Sequence, residues 1–104
     1  MDLVEAIYRA TKMFPKSEEF ALKSQMQRSA IFIPSNIAEG SGRGSNRDQS
    51  QFLRVALGSL RELDTQTEIA KRLSYINPPL EEELRKSILS IEYLLKRLIA
   101  SLDK

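Results

Sequence analysis

The stretch from Ser24 to Arg47 constrains the fold of this chain more than any other. Apolar residues recur in it at helical spacing, continue past Pro34 and stop at three glycines, Gly40, Gly42 and Gly44. Proline inside a helix removes one backbone hydrogen bond and presses on the preceding turn, so it kinks or ends the helix. Because the apolar stripe stays in register beyond the proline, we predict a long helix that is kinked at Pro34.

The rest of the chain shows the same periodicity, broken by residues that start or stop helices. Pro15 closes a first, shorter helix, and Ser17 is the predicted N-cap of the long one. Ser45 or Asn46 caps a third helix, and Asn77, which is followed by two prolines, caps a fourth. The positions spaced three and four apart are Leu3, Ile7, Ala10 and Phe14; Leu22, Met26, Ala30, Ile33 and Ile37; Leu53, Ala56, Leu60, Leu63, Thr67 and Ala70; and Leu84, Ile88, Ile91, Leu95, Leu98 and Leu102.

Four such helices with short connections predict an all-α fold, an up-down-up-down four-helix bundle formed by a single domain over residues 1–104. No segment alternates with a period of two, so we expect no sheet. The short first helix leaves one side less covered, and we expect a second subunit to close it. Gly58, on the outer face of the third helix, either allows another backbone to approach or is merely tolerated there.

Apolar residues outside the main stripes extend the predicted core. Met13 widens the stripe of the first helix, and Ile31 and Phe32 add apolar surface to the second, which predicts burial on more than one side. The seven aromatic residues lie mostly within these apolar stripes. We therefore expect them in the core rather than in a platform on which nucleic-acid bases stack.

Composition excludes several kinds of chemistry. The chain has no cysteine and no histidine, which rules out disulfides, thiol nucleophiles, thiolate zinc sites and imidazole acid–base catalysis. No nucleophile–base pair or metal set can be assembled, so we expect neither an enzyme nor a cofactor. No apolar run approaches the roughly 18 residues of a membrane span, and the N-terminus lacks the pattern of a signal peptide. We expect a soluble, cytoplasmic protein.

Arginines suggest the class of partner. Three of them are seven residues apart and share one face of the third helix, one lies on the second helix, and one lies in the glycine elbow. They are Arg47, Arg54 and Arg61; Arg28; and Arg43. A one-sided row of this kind is typical of proteins that bind a phosphate backbone. Alternatively, Asp48, Glu62 and Asp64 pair with these arginines on an ordinary charged surface.

The polar residues around the elbow have two interpretations. Asn36 and Glu39 either satisfy backbone groups freed by the proline or cap a helix end, or they form a functional patch. The elbow lacks the Gly-Lys-Ser/Thr of a nucleotide-binding loop and follows a helix rather than a strand, which argues against a nucleotide site. The start of the third helix, with Arg43 and Arg47 close by, still favours an anion.

An ordered set of motifs resembles one known family. The motifs are Phe14-Pro15-Lys16, Gln25 with Arg28, Ile33-Pro34-Ser35-Asn36-Ile37-Ala38-Glu39-Gly40, Gly42-Arg43 and Ala56-x-Gly58-Ser59-Leu60-x-Glu62-Leu63. From about Leu3 to Ile76 the chain resembles the four-helix-bundle family named for the 23S rRNA intervening-sequence protein, and its fourth helix is generic. The longer, aromatic-rich N-terminal opening of that family is absent here.

The resemblance implies a bundle of bacterial origin that assembles as a ring-like homopentamer. Some members are encoded in inserts within 23S rRNA genes. A related branch, the accessory variability protein of diversity-generating retroelements, binds a reverse transcriptase and nucleic acid through a basic surface. The resemblance makes Arg28, Arg43 and Arg47 candidates for such a surface, and Arg54 and Arg61 join them by their shared helical face.

We therefore expect a non-enzymatic, oligomeric module that binds RNA or DNA phosphates with little regard to base sequence. The alternative is a protein-interaction scaffold, or an accessory subunit of a partner such as a reverse transcriptase. The resemblance implies no catalytic residue.

Overall fold

Four α-helices account for most of the chain. The computed structural model describes residues 1–103. The helices are α1 (Asp2–Thr11), α2 (Leu22–Ser41), α3 (Asn46–Arg72) and α4 (Pro78–Leu102), with a short 3₁₀ helix at Lys16–Glu18. Within the described residues no strand occurs, α3 packs against α2 and α4, and α1 packs against the same two helices from the opposite side. The predicted all-α, up-down-up-down bundle is confirmed.

The core consists of the predicted stripes, with one shift in α4. All six predicted positions of α3 are buried. In α4, Leu95 is buried, but Leu98 is 48% exposed and Ile99 packs against the core in its place. The prediction for Leu98 is wrong because a strict seven-residue repeat drifts by about 20° per heptad on a straight helix.

Other apolar residues predicted inside lie at the surface. Met13 is 82% exposed because α1 ends at Thr11, and Ile31 and Phe32 are each 40% exposed. Of the seven aromatic residues only Phe14 is buried. The exposed ones are Tyr8, Phe20, Phe32 and Tyr93. The prediction that most aromatic side chains belong to the core is therefore wrong.

Helix α2 runs without interruption through Pro34, so the predicted passage of the helix beyond the proline is confirmed. One turn later Asn36 Nδ2 donates to the Phe32 carbonyl at 2.7 Å. The carbonyl that faces the proline ring is that of Ala30, four residues before Pro34. Asn36 therefore reinforces the next turn of the helix and does not replace the bond that the proline removes.

The start of α2 differs from the prediction. Ser17 lies in the 3₁₀ helix rather than at an N-cap, and α2 begins five residues later, at Leu22, after Ala21. The side chain of Glu18 accepts a hydrogen bond from the Leu22 amide at 3.3 Å. A carboxylate near a helix N-terminus satisfies a free donor and complements the helix dipole, so Glu18 supplies the stabilisation predicted for Ser17.

The caps of α3 and α4 are as predicted. The Ser45 hydroxyl accepts from the Asp48 amide at 3.2 Å, and the Asn77 side chain accepts from the Leu80 amide at 2.8 Å. Each bond satisfies one of the backbone donors that a helix start leaves free. These caps place the N-terminus of α3, and with it Arg47, directly after the glycine elbow.

Helix α1 covers only part of the bundle. It has 10 residues against 25 in α4, or about 15 Å against about 38 Å. Met1, which precedes its first turn, lies beside Pro34 of α2 and Ile91 of α4. Beyond that level no helix of the described chain covers this side of α4, and Leu94 and Leu98 are 57% and 48% exposed.

An ion-pair cluster joins α3 to α4 at the other end. The Arg85 guanidinium contacts Asp64 at 3.0 Å, Glu68 at 2.9 Å and Glu81 at 3.0 Å. The hydrogen bond to Asp64 is the main cause that raises the pKa of Arg85 above its usual value. Because Asp64 and Glu68 bind Arg85, they do not neutralise the candidate arginines that precede them in α3.

Gly40 sets the distance between the end of α2 and the start of α3. A Cβ at this position would lie 2.9 Å from Phe52 Cβ and 3.2 Å from the Gln49 carbonyl oxygen. Gly40→Ala should therefore destabilise the protein by about 1–3 kcal/mol, since neither obstacle is the flexible end of a side chain. Urea unfolding followed by circular dichroism measures the change.

Gly44→Ala is the matched control, because a Cβ at Gly44 meets nothing within 4 Å. Its free energy of unfolding should stay within about 0.5 kcal/mol of the parent value. Equal stabilities of the two variants would contradict the close packing assigned to Gly40.

Candidate nucleic-acid interface

The structure distributes the candidate arginines over two flanks of α3. Arg28 lines a cleft between α2 and α3, and Arg43 lies over the ring of Phe52 on the same flank. Arg54 and Arg61 line a groove between α3 and α4. Arg47, in the first turn of α3, is in register with these two. The α3 arginine row, meaning Arg47, Arg54 and Arg61, thus lies across α3 from the other two candidates.

Two of the candidates are bound to carboxylates. Arg43 contacts Glu39, four residues earlier, at 2.5 Å, and Arg54 contacts Asp103 at the end of α4. The other three make no ion pair with any residue of the 1–103 range. They are Arg28, Arg47 and Arg61.

The acids expected to compete for the arginines do not bind them. Asp48 and Glu62 make no ion pair within residues 1–103, and Asp64 contacts Arg85 instead. Ion pairing therefore neutralises part of the arginine set, but through Glu39 and Asp103, which the sequence did not indicate as partners of these arginines. Residue spacing could not predict the pairing of Asp103 with Arg54, because Asp103 lies at the far end of the next, antiparallel helix.

Asp103 holds Arg54 through a three-residue network. Ser50 donates to Asp103 Oδ1 at 2.8 Å, Arg54 Nη1 donates to the Ser50 hydroxyl at 2.6 Å, and Arg54 Nη2 donates to Asp103 Oδ2. The hydrogen bond from Ser50, followed by the contacts of Arg54, lowers the pKa of Asp103 from its usual value. The network joins the C-terminal end of α4 to the second turn of α3.

The groove between α3 and α4 combines an apolar floor with a basic rim. Four small or aliphatic residues form the floor, and three cations surround it. The floor residues are Leu57, Gly58, Ile99 and Ala100, and the cations are Arg54, Arg61 and Lys96. Lys96 contacts Glu92 at 3.0 Å, so Arg61 is the rim cation that has no ion-pair partner among residues 1–103. A Cβ at Gly58 would meet nothing within 4 Å, and the approach of another backbone there stays a prediction.

The glycine elbow offers less to an anion than its sequence suggested. Arg43 and Arg47 flank the start of α3 as predicted. However, the Ser45 hydroxyl already accepts the Asp48 amide, and the Asp48 carboxylate in the first turn lies at the positive end of the helix dipole. Glu39 also contacts Arg43. The protein's own groups therefore take up part of the attraction expected for an external anion.

The sequence analysis missed the cleft between α2 and α3 as a possible site. Arg28 was a candidate, but Phe32 was assigned to the core and Glu62 to charge pairing. The Arg28 guanidinium lies 5.0 Å from the centroid of the Phe32 ring. Their spacing of four residues puts them on one helical face, and that signal could have identified the pair from the sequence.

Neither a metal site nor a membrane span is found in the described part of the chain. Residues 1–103 contain no group of three or more potential ligand residues that could hold a metal ion. None of their helices combines the length and apolar character needed to cross a bilayer.

Comparisons with known proteins agree with the motif run and with the fold. The sequence profile of the 23S rRNA-intervening sequence protein family matches residues 1–97. Among solved structures, the chain is similar to a protein of unknown function from the S23 ribosomal protein family of Bacteroides thetaiotaomicron. That crystal structure has a TM-score of 0.83 and 26% sequence identity, and the match covers 93% of this chain and 90% of the other. No curated protein matches the chain, and the relation to retroelement accessory proteins stays a prediction.

Acidification should release Arg54 from Asp103. Since the pKa of Asp103 is lowered in the folded protein, its carboxylate contributes stability at pH values above the usual pKa of about 4, and that contribution is lost as the pH falls through the lower folded-state pKa. Asp103→Asn should therefore reduce the urea midpoint at pH 7. The difference between variant and parent should become smaller near pH 3. A difference that does not change with pH would contradict this assignment.

Proposed function

The chain belongs to the 23S rRNA-intervening sequence protein family, and from this premise we propose that it is a non-enzymatic, oligomeric module that associates with RNA or DNA through phosphate contacts. The α3 arginine row is the surface that carries the proposal.

The single observation behind the proposal is that Arg47 and Arg61, at the two ends of the row, have no carboxylate partner among residues 1–103. The row spans 14 residues of one helix, or about 21 Å. Lys96 of α4 adds a fourth cation next to Arg61. A row of this length reaches several successive phosphates of one strand, since these are about 3.4 Å apart along a duplex axis.

Local charge favours this surface over the rest of the molecule. Its four cations face two carboxylates, Asp103 and Glu92. The resulting excess of two positive charges equals the formal net charge of the whole chain, +2. The remainder of the protein is balanced on average, so we expect a polyanion to be attracted chiefly to this flank, with an affinity that falls steeply with salt.

Reversal of the two unpaired charges tests the proposal. Arg47→Glu combined with Arg61→Glu breaks no ion pair among residues 1–103, and it should weaken binding of a short RNA at low salt by at least about tenfold. Asp103→Asn should strengthen binding, because it removes a negative charge and frees Arg54. Fluorescence anisotropy measures all three affinities.

The matched control is Arg9→Glu combined with Lys12→Glu, which changes the net charge by the same amount at the end of α1. These two residues also lack an ion pair within the described range. If both double variants lose affinity equally, only net charge matters and the α3 arginine row is not the binding surface.

The proposal includes self-assembly through the part of α4 that α1 leaves uncovered, with five copies as the size that the family resemblance implies. Beyond the level that α1 reaches, this side of α4 exposes a short apolar stripe, Leu94 and Leu98, with exposures of 57% and 48%. Exposed apolar patches are typical of protein–protein interaction sites. Burial of such a stripe against a second copy provides the hydrophobic free energy that association requires.

Two charges placed on this stripe should prevent assembly. Leu94→Glu combined with Leu98→Glu should convert the oligomer to a monomer, as measured by size-exclusion chromatography with light scattering. Phe20→Glu is the control, since Phe20 is 96% exposed but lies before the start of α2. A parent protein that is monomeric at the same concentration would overturn this part of the proposal.

A further inference from the structure

A second possible binding site lies across α3 from the arginine row, in the cleft between α2 and α3. The cleft has a volume of about 410 Å³, within the range of about 300–1,000 Å³ typical of small-molecule sites. Its lining residues are Gln25, Arg28, Ser29, Phe32, Glu62 and Gln66. The set combines one ring, one guanidinium and several hydrogen-bonding groups, which is the combination that a planar heterocycle requires.

An aromatic ring and a guanidinium that pack against each other line the cleft. The Arg28 guanidinium lies 5.0 Å from the Phe32 ring centroid, and the Phe32 side chain is 40% exposed. Unstacked bases of single-stranded nucleic acids stack on aromatic rings and on arginine planes. The same chemistry recurs on this flank at the elbow, where the Arg43 guanidinium lies 4.6 Å from the Phe52 ring centroid.

The α3 side of the cleft carries hydrogen-bond acceptors from Glu62 and Gln66. Gln66 Oε1 is buried and has no hydrogen-bond partner within residues 1–103. An unsatisfied buried acceptor costs free energy, and a rotation of the Gln66 amide toward the cleft would let a ligand donor relieve that cost. Glu62, one helical turn earlier, carries two further acceptors and makes no ion pair in this part of the chain.

We propose that the cleft between α2 and α3 binds an unpaired guanine base of a single-stranded nucleic acid. The inference deepens the proposed function and rests on it for the attraction of the strand. Guanine presents two neighbouring donors, N1–H and the N2 amino group, on its Watson–Crick edge, and a carboxylate accepts both at once. The corresponding edges of adenine, cytosine and uracil each carry one donor group. Glu62 and Gln66 therefore select guanine by accepting hydrogen bonds from its donors, while Phe32 and Arg28 provide the groups on which the base stacks.

The strand must be single for this contact to form, because base pairing occupies the Watson–Crick edge of guanine in a duplex. Phosphate contacts along the α3 arginine row remain indifferent to base identity. The cleft adds a preference at one nucleotide to an association that is otherwise sequence-independent.

A titration with free mononucleotides tests the cleft without dependence on polyanion binding. Guanosine 5′-monophosphate, added to millimolar concentration, should shift the side-chain amide NMR signals of Gln25 and Gln66, and uridine 5′-monophosphate should not. Phe32→Leu and Glu62→Gln should each abolish the difference between the two nucleotides. Phe20→Leu, a change of the same kind at an exposed ring elsewhere, should preserve it. Equal effects of the two nucleotides, or no shift of these signals, would overturn the inference.

Oligonucleotides separate this inference from the proposed function. Phe32→Leu should weaken binding of a uridine oligomer with one central guanine by at least about fivefold and leave a duplex unaffected. In one outcome, Arg47→Glu with Arg61→Glu abolishes binding, but Phe32→Leu changes the affinities for single strand and duplex equally. That result would support the phosphate surface and overturn the guanine site. If guanosine monophosphate binds in the cleft while the arginine variant retains full RNA affinity, the guanine site stands and the phosphate surface fails.

Discussion

Burial of the α3 seam is the constraint on which the rest of the structure depends. Leu60 and Leu63 are fully buried at its centre, and α2 and α4 pack on either side of it. Because one face of α3 is committed to the core, its polar residues are divided between two flanks. The arginine row lies along the α4 flank, and the acceptors Glu62 and Gln66 lie along the α2 flank. The packing of a single helix thus separates the arginine row from the cleft between α2 and α3.

The short first helix has the second largest effect on which surfaces of the bundle are exposed. Its ten residues complete the core at one end of the bundle and leave the C-terminal turns of α4 without cover. Apolar side chains that a longer first helix would bury become available to another copy of the chain. The same protein therefore exposes an apolar stripe on α4 and, on other faces, charged and aromatic side chains.

Periodicity and helix breakers predicted most of the fold, because burial on one helical face follows directly from spacing. The passage of α2 through Pro34 and the caps at Ser45 and Asn77 were predictable for the same local reasons. The start of α2 was not, since a 3₁₀ turn competes with the helix at Ser17. The candidate site was predicted only in part. Spacing placed three arginines on one face of α3, but the capture of Arg54 by Asp103 depends on how the end of α4 packs against α3.

The central claim is that unpaired arginines on α3 bind nucleic-acid phosphates, and the salt dependence of RNA affinity tests it most directly. Three or four phosphate contacts predict that the logarithm of the association constant falls linearly with the logarithm of salt concentration, with a slope of about −2 to −4. Binding that is independent of salt, or that is absent even at low salt, would contradict the claim.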